Sequence, residues 1–264
     1  MSIIRPFKGI RPRADLASAI AALPYDVYNS EEAREIVAAE PKSFLQIDRA
    51  ETLLPKGTNP YSEAVYKTAS ETLNRMIDEG SFLQDKEPCY YLYALTMNGR
   101  TQTGLVGCAS IDDYCNNVIL KHENTLEAKE QDRIRHIDAC SAQTGPIFLA
   151  YRADKKLGEI IKNVRLTPEV YDFTSDDGIR HEVWRIDKMS TIVDISKIFE
   201  AIPHLYIADG HHRAASAVKV GLKRRKSHND TANKCQCDRG MYCLRHFFIF
   251  AGSIKTCCKH ICTE

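Results

Sequence analysis

Residues 204–221 read His204-Leu205-Tyr206-Ile207-Ala208-Asp209-Gly210-His211-His212-Arg213-Ala214-Ala215-Ser216-Ala217-Val218-Lys219-Val220-Gly221. The run 204–209 is apolar enough for a buried strand, and Asp209-Gly210 breaks it. Small residues then open a tightly packing helix over 213–221. The first N–H groups of such a helix have no partner one turn back, and its dipole favours an anion there. Gly210 lets backbone come close to a ligand. Arg213 can grip an oxyanion with two parallel hydrogen bonds, and His211 and His212 add donors. The turn is therefore read as a phosphate-binding loop. The plainer reading is that Asp209 caps the helix and the histidines lie on the surface. A metal at the two adjacent histidines is weaker, since no spaced third ligand is evident.

Working outward, the pattern alternates between hairpins and helix-flanked strands. Upstream, residues 192–202 carry Ile192, Ile195, Ile198 and Phe199 on one helical side. Residues 170–174 and 179–187 form a hairpin around Asp176-Asp177-Gly178, and residues 90–97 and 100–111 another around Asn98-Gly99. Strands are expected at 3–10, 43–48 and 146–151. Helices are expected at about 30–40, capped by Asn29 or Ser30, and at 61–79, 126–139 and 157–164. No internal repeat is present. The class is α+β, a mixed sheet with helices.

A second constellation is Lys121-His122-Glu123-Asn124-Thr125, followed by Lys129, Asp132, Arg133 and His136. The last four share a helical face, which is either solvated or functional. His122, Glu123 and Thr125 combine a base, a carboxylate and a hydroxyl. They do not make the His-Glu-x-x-His zinc motif, because Leu126 stands where the second histidine belongs. A third is Pro24-Tyr25-Asp26, with Glu31 and Glu32 beyond. A loop carboxylate here suits proton abstraction from a hydroxyl, or the stretch is a turn before a capped helix.

Composition sets limits. The 264 residues carry a formal net charge of +1, so no global field draws the chain to nucleic acid or an anionic membrane. The first residues lack the apolar core of a signal peptide, which makes a cytoplasmic location the expectation. Cys89, Cys108, Cys115 and Cys140 read as small buried hydrophobes in a reducing compartment. Cys235, Cys237, Cys243, Cys257, Cys258 and Cys262 crowd the end of the chain.

Several separated motifs occur in one order: Leu23-Pro24-Tyr25-Asp26-Val27, Tyr90-Tyr91 with Met97-Asn98-Gly99-Arg100, Lys121-His122-Glu123-x-Thr125, Lys129-Glu130-x-Asp132-Arg133, Gly145-Pro146-Ile147-Phe148, and Ala208-Asp209-Gly210-His211-His212-Arg213-x-x-Ser216-Ala217. Over residues 3–225 the chain resembles a widespread prokaryotic family known only as a domain of unknown function ("DUF ten-fifteen"). That family is similar to the ParB/sulfiredoxin superfamily, which includes the free serine kinase. The resemblance implies a ParB/sulfiredoxin-like core whose Gly-x-His-Arg turn holds nucleotide phosphates. It implies ADP or ATP with Mg²⁺ as cofactors, and L-serine as the hydroxylated metabolite converted to O-phosphoserine. The expected nucleotide contacts are Asp209, Gly210, His211, His212 and Arg213, joined by Lys121, Thr125 and Arg133. An acidic base is implied without a matching motif; the candidates are Glu123, then Asp26, then Glu31 and Glu32, with His122 beside them. Asp209 is as well placed to cap the helix as to assist Mg²⁺.

The expected organisation is a nucleotide-binding domain over 1–226, shorter than its relatives, and an atypical Cys-rich tail over 227–264. The tail suits a zinc site poorly, because Cys-x-Cys and Cys-Cys lack the usual spacing. Disulfides are disfavoured in a reducing compartment. A frameshifted or truncated gene end is the remaining reading and the expected one. The leading function is a nucleotide-dependent phosphotransferase. The alternatives are a non-catalytic nucleotide-binding regulatory module and a ParB-like DNA-binding protein. Net charge and the lack of a helix-turn-helix pattern count against the last, so the partners expected are a nucleotide and a small molecule, with no nucleic acid and no membrane.

Overall fold

A computed structural model describes residues 1–227 and 246–253, with Ser227 and 246–253 as backbone only. Its centre is a nine-stranded mixed sheet. The strands are β1 (Ile4–Arg5), β2 (Ile10–Pro12), β3 (Phe82–Gln84), β4 (Tyr90–Met97), β5 (Arg100–Ser110), β6 (Ile119–Leu120), β7 (Ile147–Tyr151), β8 (Tyr171–Thr174), β9 (Arg180–Ile186), β10 (Leu205–Asp209) and β11 (His246–Ser253). The order across the large sheet is β6-β10-β7-β11-β5-β4-β9-β8, with β1 also on β5, while β2 and β3 form a separate pair. Two contacts are parallel, β10 with β6 and β11 with β7, and the rest are antiparallel. The α+β mixed-sheet expectation is met.

The helices are α1 (Ala17–Ile20), α2 (Ser30–Ala39), α3 (Leu45–Asp48), α4 (Glu63–Asp78), α5 (Ile111–Cys115), α6 (Glu127–Cys140), α7 (Lys155–Val164), α8 (Met189–Ala201) and α9 (His211–Ser227). Local chemistry explains most of them. Asn29 caps α2, accepting from the Glu31 and Glu32 amides, and Glu32 accepts the Asn29 amide in return. Val65, Ala69, Leu73 and Met76 give α4 a buried stripe, and Gly80 follows it at a φ of 75°. Asn98 and Gly99 take φ of 50° and 73° between β4 and β5, the left-handed pair of a two-residue hairpin.

Two apolar clusters form the core. The larger joins the sheet to α7, α8 and α9, with Phe199, Ile195, Ile147 and Leu205 fully buried. The smaller lies among α1, α3, α4 and β3, where Ile20, Ile47, Leu73 and Phe82 meet Cys140 and Ala142 at the end of α6. Helix α6 thus touches both regions and packs against α4 and α9.

Three expectations are corrected. Residues 43–48 are not a strand: α3 is a single helical turn, with Leu45, Gln46 and Ile47 buried in succession. The Gln46 amide ties that turn down by donating to the carbonyls of Pro41 and Ser43. Residues 3–10 are not one strand either, because β1 and β2 belong to different sheets. Cys89, Cys108 and Cys140 are buried as expected, but Cys115 is exposed at the end of α5. β11 lies beyond the boundary drawn at residue 226 and pairs with β5 and β7 in the large sheet. The six clustered cysteines, from Cys235 to Cys262, fall outside the described residues.

Candidate functional site

The 17-residue helix α9 starts directly after β10, and Gly210 makes the join at a φ of 89°. The first amide to reach back is that of Ala214, which donates to Gly210 O at 2.9 Å. The amides of His211, His212 and Arg213 precede it, so this end has the donor geometry that anions favour.

Arg213 folds back over its own turn. Its Nη1 donates to Pro146 O at 2.5 Å and its Nη2 to Asp209 Oδ2 at 2.5 Å. A Cβ on Gly210 would stand 3.1 Å from Arg213 Nε, and one on Gly145 would stand 3.3 Å from Arg213 Cδ. The guanidinium therefore lies in a slot between two glycines, and three of its five N–H donors are not used by these bonds.

Arg133 approaches the same place from α6. It is buried, pairs with Asp132, and lies 4.1 Å from the ring centre of Tyr25. Burial pushes its pKa down, but Asp132 and Asp48 outweigh this and leave it raised, so it stays charged. Tyr25, Asp48, Arg133, His136, Thr144 and Arg213 line one small cavity of about 20 Å³. Burial raises the Tyr25 phenol despite the nearby arginines, keeping it a neutral donor. Asp48 accepts from Thr144 at 2.6 Å. His136 donates to Ile47 O at 3.0 Å, and burial, with Arg133 adding to it, depresses its pKa. Its buried Nδ1 has no partner, nor have His211 Nε2 and His212 Nδ1.

On the other side of the turn, His211 Nδ1 lies 3.5 Å from Glu123 Oε2, and His122 meets the His211 ring edge-on at 4.4 Å. His211 is buried, while His122 and Glu123 are exposed. Burial and then His122 lower the His211 pKa, more than Glu123 and Asp209 raise it, which favours a neutral imidazole.

The structure thus brings Asp209, Gly210, His211, His212, Arg213, Arg133, His122 and Glu123 to one helix start. Asp26 is exposed near Tyr25, at the rim. Others serve local structure. Glu31 is exposed and pairs with Lys56 at 2.9 Å, and Glu32 completes the α2 cap. Lys121 stacks over Tyr114 at 4.2 Å. Thr125 donates to Glu130, a buried carboxylate that Lys219 also engages. Burial pushes Glu130 up, but these partners outweigh it and hold it below the usual range. Ser216, fully buried, reaches Glu130 O and so fixes α9 against α6.

The solvated-face reading of α6 fails for Arg133 and His136, which turn inward, and holds for exposed Lys129. Sequence reasoning missed Asp48 and Thr144 as cavity walls. Asp48 sat inside the misread strand. Thr144 precedes the Gly145-Pro146 motif, in which Gly145 packs on Arg213 and the Pro146 carbonyl accepts from it.

Among the described residues no helix is long and apolar enough to cross a membrane, and no group of three or more His, Cys, Asp or Glu is placed to hold a metal ion. The family model described as "Protein of unknown function (DUF1015)" matches residues 4–246, and the chain belongs to that family. No curated protein and no solved structure matches it.

Proposed function

We propose that the chain is a nucleotide-dependent phosphotransferase acting on a small hydroxylated metabolite, with free L-serine the first candidate and a ParB/sulfiredoxin-like site as its frame. The observation that carries this reading is the convergence of Arg213 and Arg133 beside the open end of a 17-residue helix. Two guanidiniums and a row of amides suit a group with two or more negative charges. Phosphoryl transfer asks mainly for positioning and charge neutralisation, which such a set supplies.

In this reading, the phosphates lie on the amides of His211, His212 and Arg213. The small cavity below Arg213 is too tight for them, so they sit on its solvent side. Glu123 takes the proton of the acceptor hydroxyl as its oxygen attacks the terminal phosphorus. The bond from that phosphorus to the bridging oxygen breaks, and the shortened nucleotide leaves. Neutral His211 sets the Glu123 carboxylate in place. Asp209, an exposed carboxylate, would be the protein residue to help hold Mg²⁺ beside the phosphates, since that ion needs only one or two protein carboxylates. Bound there, it would neutralise phosphate charge.

The basic end of α9 does not favour the DNA-binding alternative. Lys223 and Arg224 pair with Asp138, and Arg225 with Asp112. The test is to incubate the protein with L-serine, Mg²⁺ and ADP or ATP and to assay phosphoserine. Product supports the kinase. No product from any hydroxylated amino acid, with nucleotide still bound, assigns the chain to the non-catalytic module.

A further inference from the structure

A second cavity, of about 270 Å³, adjoins the arginine cleft. Its walls include Ile10, Ile20, Phe44, Leu73 and Phe82, and it belongs to the smaller apolar cluster. Gln143 and Thr144 line both this cavity and the cleft that holds Arg133 and Arg213. They follow Ser141, which ends α6 in the left-handed conformation at a φ of 48° and turns the chain between the two spaces.

We infer that this cavity is the subsite for the heteroaromatic base of a nucleotide whose phosphates lie at α9. The inference rests on the phosphate site proposed above. A serine or a phosphate would leave its charges unmatched against these apolar walls. A flat base has apolar faces and polar edges. Phe44 and Phe82 stand edge to face, with centres 6.1 Å apart, and form an apolar corner for those faces. Gln143 and Thr144, which line both spaces, lead from the cavity toward Gly145 and the Arg213 slot, the direction the ribose would take to the α9 start. The volume lies just below the range for drug-sized ligands, which suits a base with part of its sugar rather than a whole nucleotide.

Ala21 and Ala22 also line the cavity, and both are exposed, so larger side chains can enter it without disturbing the core. The full-length chain is titrated with Mg-ADP and with Mg-pyrophosphate. Wild type is expected to bind ADP about tenfold or more tightly than pyrophosphate, reflecting burial of the base. Adenosine should displace ADP and leave pyrophosphate bound. Ala22→Phe and Ala21→Phe, shown to be folded by circular dichroism, should reduce ADP affinity to the pyrophosphate level and leave pyrophosphate unchanged. Equal wild-type affinity for ADP and pyrophosphate overturns the base subsite and leaves the phosphate site standing. So does ADP binding that is untouched in both folded variants. A wild-type chain that binds neither ligand overturns the phosphate site and this subsite with it.

Discussion

Arg213 is held between Gly145 and Gly210 by packing, and by bonds to Pro146 O and Asp209. This is a flat slot that a planar fork fills and an ammonium does not. Arg213→Ala should therefore weaken nucleotide binding by about 1.5–3 kcal/mol, the range for hydrogen bonds to charged groups. Arg213→Lys should recover little of it. Titration of the two folded variants checks this, and unchanged affinity in the alanine variant would remove the site. A second prediction concerns acid. His136, His211 and His181 all have lowered pKa values, chiefly through burial. The unfolded chain then binds more protons than the folded one below about pH 6.5. Stability is complete above that value and falls as pH drops toward the folded-state pKa values, by up to about 1.4 kcal/mol per histidine per pH unit. Urea titrations at pH 7.5 and 5.5 should show the loss, and His136→Gln should make it smaller. A pH-independent midpoint would contradict the buried neutral histidines. The Gly210–Arg213 turn was legible as a strand-to-helix junction, because Asp209-Gly210 breaks an apolar strand and small residues open the helix that follows. Arg133 and His136 were not. The inward face of α6 holds Glu130, Arg133, His136, Ile137 and Cys140, so a helical period is present but polar residues carry it. A hydrophobic periodicity cannot register such a face.

At the scale of the element, the helix caps separate structural carboxylates from the one proposed as the base. Glu32 holds the Asn29 amide, and the Asn29 side chain takes two amides of the first turn of α2. Asn29→Ala should cost about 1 kcal/mol of stability, read as a shifted urea midpoint. Glu32→Gln keeps a side chain that can accept the same bond and should leave both stability and phosphoserine formation near wild type. Glu123→Gln should keep the fold and abolish turnover. Loss of activity in Glu32→Gln with retention in Glu123→Gln would reverse the assignment of the base. The elements that were misread share a physical cause. Residues 43–48 place Phe44, Leu45 and Ile47 in a short apolar run that suits a strand, yet a one-turn helix buries neighbours in succession and obeys no period. β6 and α5, two and five residues long, are too short to show any period. The Asn98-Gly99 hairpin and α4 were legible, since one rests on positive φ and the other on four turns of repeated spacing.

At the scale of the molecule, β11 raises the question of how far the domain extends. It is the strand between β5 and β7, and so it joins β6-β10-β7 to β5-β4-β9-β8. Its backbone runs antiparallel to β5 from His246 opposite Ser110 to Gly252 opposite Gly104, and parallel to β7 from Ile249 opposite Ile147. The cysteines around it drew attention to composition, but Phe247–Ala251 is a continuous apolar run ended by Gly252. That is how a strand with neighbours on both sides reads. From Ile249 to Gly252 the strand is paired on both sides, so proline there removes a ladder hydrogen bond. Ile249→Pro should then cost about 3 kcal/mol or more, comparable to a proline placed inside a helix. That is a large share of the 5–15 kcal/mol typical of a domain. Urea denaturation followed by both circular dichroism and Trp184 fluorescence should show one earlier transition, because Trp184 on β9 is separated from β11 only by β4 and β5. An unchanged midpoint would keep the domain boundary at residue 226 and make the tail an appendage. Coincident loss of both signals would make the sheet, and with it the setting of the arginine cleft beside β7 and β10, depend on residues 246–253.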